Sequence, residues 1–228
     1  MDAAPEPTYL PSWLRRGDPE SVVPVVIALI GAMALQLLIP ERYTAFPRWP
    51  LLTLEALLLL VLIGLNPLRL VRSNPIGNQT RRVLLAAITV DNTASAVLLN
   101  YHILAGKEVS NSAAILLGSG TAIFITNIIV FGIWYWELDS GGPFARFNGE
   151  RAHPDFMFPQ MASPELAPHN WRPLFTDYFY VALTNVMAFS PTDTMPLARW
   201  AKVMMAVQAL VAVSNLVLVV ARAVSVLS

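Results

Sequence analysis

Asp91 places a carboxylate where a carboxylate is costly. It sits in an apolar stretch, Val83–Ala105, which also carries Asn92, Ser95, Asn100 and His102. At about 1.5 Å per helical residue, Asp91 lies about 12–14 Å inside that stretch. An acid at such depth in a membrane must be paired, protonated or wetted, and is a functional candidate by default. The competing reading is a structural hydrogen bond between helices. Depth counting offers partners: Thr126 and Asn127 in the next, antiparallel stretch, and Gln208 in the last one. Glu55 and His102 form a second candidate pair near one membrane surface. A Glu–His pair can relay protons, and the alternative is that each side chain reaches the interface. His153-Pro154-Asp155 and His169 have no spacing typical of a metal site. With no nucleophile motif, phosphate-binding glycine loop or HExxH, the chain is expected to be no enzyme and to hold no cofactor or metal.

The elements that position these residues are apolar and long. Five stretches stand out: Val22–Ile39, Leu51–Leu65, Val83–Ala105, Ala113–Trp136 and Leu197–Val226. A bilayer core needs about 20 helical residues to cross. A shorter, more polar stretch, Leu174–Ser190, precedes the last one. The expected fold is therefore an all-α integral membrane bundle: five transmembrane helices plus a re-entrant or half-crossing segment. Residues 1–21 read as a polar tail, 22–136 as a four-helix unit, 137–173 as an irregular loop and 174–228 as a separate terminal module.

Composition agrees. Hydrophobic residues make up 55% of the chain and charged residues 13%, well below the share of about 25% in soluble domains. The net charge of zero gives nucleic acid nothing to bind. The absence of cysteine excludes disulfides and thiolate chemistry. The small residues Gly118–Ala122 suit close helix packing.

Topology follows from arginine. Arg15, Arg16, Arg69, Arg72, Arg81 and Arg82 fall on one side of the first helices, against Arg42, Arg48 and Lys107 on the other. The richer side is expected in the cytoplasm of a bacterial inner membrane. If Leu174–Ser190 crosses, there are six spans and the C-terminus is inside. If it dips in and returns, there are five and the C-terminus is outside. Pro191 and Pro196 bracket a break in helical structure there.

The order of elements in 174–226 resembles the pore module of the potassium-channel superfamily: pore helix, filter, Asp-x-x-Pro turn, inner helix. Tyr178, Phe179 and Tyr180 match its pore-helix aromatics, Thr184 its filter threonines, and Asp193 and Pro196 its turn. The resemblance implies a homo-oligomer in the lipid bilayer with an inorganic cation as its substrate. Its pore or selectivity candidates are Tyr178, Tyr180, Thr184, Asn185, Ser190, Thr192 and Asp193. The sequence departs from that module in having no glycine after Gly149, so a carbonyl filter of the potassium type is not expected. Residues 20–226 also resemble an uncharacterised bacterial membrane family, through Gly141-Gly142, Asp155-Phe156, Pro159, Asp177–Tyr180 and Ser190–Asp193. That family lends no activity. The expected function is a channel-like membrane protein conducting cations. The alternative is a non-conducting subunit or scaffold for partner membrane proteins.

Overall fold

The computed structural model describes residues 13, 20–65, 75–105, 112–151, 153–188 and 193–227. Helix accounts for 79% of it, so the chain is all-α. The helices are α1 (Val23–Gln36), α2 (Arg48–Leu65), α3 (Pro75–Leu104), α4 (Ala113–Leu138), α5 (Pro143–Asn148), α6 (Pro159–Ala162), α7 (Phe175–Met187) and α8 (Arg199–Leu227). Two short strands, β1 (Phe156–Met157) and β2 (Met195–Pro196), pair antiparallel. Four helices, α2, α3, α4 and α8, are long and apolar enough to cross a membrane. With 14 residues, α1 is shorter than the apolar stretch it comes from. Its last turn gives way at Leu37–Ile39, where Pro40 steers Ile39 away from helical backbone.

Two expected boundaries shift. The first is the start of α3, which lies at Pro75 rather than Val83. A proline opens a helix without losing a needed donor, and the added turns carry Arg81 and Arg82 to Glu137 at the end of α4. The second concerns residues 137–173, which are folded rather than irregular. Phe156 and Phe158 are buried. The Phe156 ring lies 5.2 Å from Tyr135 and 5.8 Å from Trp200, and Phe158 lies 5.3 Å from Tyr178. These aromatics fasten the segment across the ends of α4, α7 and α8.

One end of the bundle collects most of the polar contacts and is termed the loop end. There α4 finishes and α3 begins, joined through Arg81 and Glu137. Just before α1, Glu20 accepts hydrogen bonds from Trp136 Nε1 at 2.8 Å and Phe175 N at 3.0 Å. Thus α1 and α7 start there too. Leu197 N donates to the Asp155 carbonyl at 2.8 Å, which brings in the start of α8.

Of the small residues of α4, Ser119, Gly120 and Ala122 are buried, whereas Gly118 is exposed with nothing near it. A Cβ on Gly120 would fall 2.6 Å from Val219 Cγ1 of α8. Asn215 of α8 donates to the Gly120 carbonyl at 3.1 Å. Gly120→Ala is expected to lower stability by about 1–3 kcal/mol through overpacking. Thermal unfolding of the purified protein checks this, and Val219→Ala in the same chain should recover part of the loss.

Candidate functional site

Helix α7 is too short to cross a bilayer core of about 30 Å. Its 13 residues reach about 20 Å. It begins at the loop end, where Asp177 Oδ2 accepts from Leu174 N at 2.7 Å and caps the first turn. Asn185 Nδ2 donates to the Met205 carbonyl at 3.0 Å and to Gln208 Oε1 at 2.8 Å. Gln208 Nε2 donates to the Ala182 carbonyl at 2.9 Å. Tyr135 OH of α4 completes the clamp with a bond of 2.6 Å to Gln208 Oε1. Later residues of α7 therefore meet later residues of α8, and both helices start at the loop end. They run parallel. Met195 of β2 lies back at the loop end, where it pairs with Met157 of β1.

The clamp reassigns several expected residues. Tyr178 and Asn185 are buried inside the chain, at 0% and 5% exposure, and lie on no outer surface. Gln208 spends its amide on α7 and is no partner of Asp91. Thr184 Oγ1 donates to the Tyr180 carbonyl of its own helix. Tyr180 and Asp193 are exposed. Ser190 and Thr192 lie outside the described residues. The packing that closes α7 onto α4 is tight: a Cβ on Gly132 would lie 3.1 Å from Phe179 Cα.

A second polar centre lies within α1–α4. Arg81 meets Glu137, Thr89 Oγ1 accepts from Trp134 Nε1 at 2.9 Å, and Asn92 Nδ2 donates to the Ile123 carbonyl at 3.2 Å. This antiparallel register puts Asp91 and Ser95 level with Ile123–Asn127, as depth counting expected. Asp91, Asn92, Ser95, Thr126 and Asn127 are all buried. Asp91 Oδ1, Asn92 Oδ1, Ser95 Oγ, Thr126 Oγ1 and both amide atoms of Asn127 have no hydrogen-bond partner. Glu55 belongs here rather than with His102. Its Oε1 accepts from Gln36 Nε2 at 3.3 Å, its Oε2 has no partner, and it lies within electrostatic reach of Asp91. The His102 ring instead bonds the Leu98 carbonyl through Nδ1 and packs edge-on against Tyr43 and Tyr101.

The third centre was not anticipated. At the C-terminal end of α4, Ser140, Gly141 and Gly142 all have positive φ (55°, 85° and 100°) and turn the chain sharply. A Cβ on Gly142 would lie 2.9 Å from the Glu137 carbonyl oxygen, so glycine is required. Asp139 is fully buried at this turn. Its Oδ1 accepts from Asp155 N at 2.8 Å, Phe156 N at 3.2 Å and Ser140 Oγ at 3.1 Å, and its Oδ2 from Tyr178 OH at 2.5 Å. Arg146 Nη1 donates to the carbonyls of Trp136 and Asp139 at 2.7 and 2.8 Å, and its Nη2 lies 3.8 Å from Glu20. Burial pushes the Glu20 carboxyl above its ordinary value, and Arg146 with the bonds from Trp136 and Phe175 pulls it part of the way back. A signal for this centre was present. Glu137 and Asp139 stand where a helix end disfavours anions, so each had to find cations or donors elsewhere.

Among the described residues no group of three or more His, Asp or Glu side chains is placed to hold a metal ion. Comparisons with protein-family models, curated proteins and solved structures found no match to this chain.

Proposed function

We propose that the chain is a multi-pass protein of the bacterial inner membrane that passes small cations, with α1, α2, α3, α4 and α8 crossing and α7 entering halfway. The observation that carries the reading is the half-length α7 packed parallel to α8. Interrupted helices occur at membrane depth where they are buried in protein or line water, and such breaks gather at the binding sites of transporters and channels. The order of elements around α7 keeps its resemblance to a pore module. The loop end carries Arg81, Arg82, Arg146, Arg151 and Arg172, which supports a cytoplasmic location for it. The end of α8 then lies outside.

Because Tyr178 and Asn185 serve the subunit's own packing, the path in an oligomer falls to the exposed positions, above all Asp193. A ring of such carboxylates favours cations. Asp193→Asn is expected to reduce cation selectivity in proteoliposome flux measurements. Flux that the substitution leaves unchanged removes Asp193 from the path. No flux of monovalent or divalent ions from the parent protein overturns the reading. The scaffold alternative gains from the same burial, since a clamped α7 is a rigid surface for another membrane protein. Crosslinking to one abundant partner in cells, without flux, supports it.

A further inference from the structure

We propose that Glu55, Asp91, Asn92, Ser95, Thr126 and Asn127 form a binding site for a hard metal cation inside the α1–α4 unit. It is separate from α7 and from any path between subunits. Two buried carboxylates lie within electrostatic reach of each other, on α2 and α3. Neither has a cationic partner. The one arginine buried among the described residues, Arg81, lies ten residues before Asp91 on α3 and is held by Glu137. Like charges buried together require a cation or protons between them.

The neutral groups decide between those two. Protons would discharge Glu55 and Asp91, yet Asn92 Oδ1, Ser95 Oγ, Thr126 Oγ1 and Asn127 Oδ1 would still be buried without partners. Each such group costs free energy in an apolar interior. A cation that takes six or more oxygen ligands satisfies all of them together with the acids. Asn127 is the most telling for its carbonyl oxygen: the residue is 1% exposed, Oδ1 is unpartnered, and it lies level with Asp91 on the facing helix. Gln36 supports the set by holding Glu55 Oε1, which leaves Oε2 for the site. The donors are all oxygen, with no thiolate or imidazole, which favours an alkali or alkaline-earth ion over a transition metal. The residues come from three helices, so a bound ion would also tie α2, α3 and α4 together.

The test is equilibrium binding of radiolabelled Na⁺ and, separately, Ca²⁺ to the purified full-length protein in detergent, with thermal unfolding followed over the same ion concentrations. The expected result is saturable binding of one of these ions, with unfolding shifted upward by that ion and not by choline. Asp91→Asn is expected to weaken binding about tenfold or more, because the affinity of oxygen sites follows ligand charge. Thr126→Val, which keeps shape and removes one ligand, should weaken it less, and Asp193→Asn should leave it unchanged. Absence of saturable binding of either ion to the parent protein overturns the site. So does proton uptake alone, or full affinity in both Asp91→Asn and Thr126→Val. Binding without flux refutes the cation-passing function and keeps the site. Flux without binding does the reverse.

Discussion

Asp139→Ala is expected to cost about 4 kcal/mol or more of stability, the largest effect of any single substitution considered. The carboxylate is fully buried and accepts from two backbone N–H groups, a serine hydroxyl and the Tyr178 phenol. Each buried donor left without its acceptor costs about 1–3 kcal/mol. Arg146 would also lose a nearby negative charge. Those donors belong to α7, to the approach to β1 and to the turn after α4, so the loss falls on three elements together. Denaturant or thermal unfolding in detergent measures it. A double-mutant cycle with Tyr178→Phe should give a coupling of about 1–3 kcal/mol, because the two side chains share one bond. A loss under about 1 kcal/mol for Asp139→Ala would show that water replaces the carboxylate and that the turn is not held by it.

Glu137→Leu is expected to cost about 3–5 kcal/mol, because it strands a buried guanidinium. Arg81 and Glu137 are 2% and 1% exposed, and removing one member of a buried pair leaves the other charge uncompensated. Arg82 shares the same carboxylate at 3.1 Å but is 47% exposed. Its removal should cost no more than about 1 kcal/mol. Replacing both members, Arg81→Met with Glu137→Leu, should recover most of the loss. Unfolding measurements on the four proteins decide the matter. Equal losses for Arg82→Ala and Glu137→Leu would mean that the exposed arginine carries the interaction.

The legible parts of the chain were those governed by local spacing. Asp91, Asn92 and Ser95 fall at helical spacings that share one face, and they are buried together as that spacing requires. Their level against Thr126 and Asn127 was also readable, because two antiparallel helices joined by a short turn keep their register. Direction around the helix axis was not readable. Gln208 lies at a suitable depth for Asp91 yet faces α7, and Glu55 turns to Asp91 and Gln36 rather than to His102. Depth counting gives height and says nothing of azimuth. The cluster of Glu20, Asp139, Arg146 and Tyr178 was hidden for another reason. Its hydrogen bonds join residues up to 155 positions apart, as in the bond between Phe175 and Glu20, and no periodicity links them. The misplaced acids at the end of α4 were the one local clue. The direction of α7 relative to α8 was not legible either, because it rests on hydrogen bonds between residues 20 and 23 positions apart.

The clamp between α7 and α8 also bears on how the protein is made. Synthesis proceeds from the N-terminus, so α7 leaves the ribosome before α8 exists. Asn185 finds its acceptors only on Met205 and Gln208, and α7 is too short to be retained as a span of its own. For a chain entering a bilayer during translation, α7 must wait at the surface while α8 is threaded. It then folds inward against the finished bundle. In such a chain, assembly runs out of order with the sequence: α8 is inserted before α7, which arrives as the closing piece.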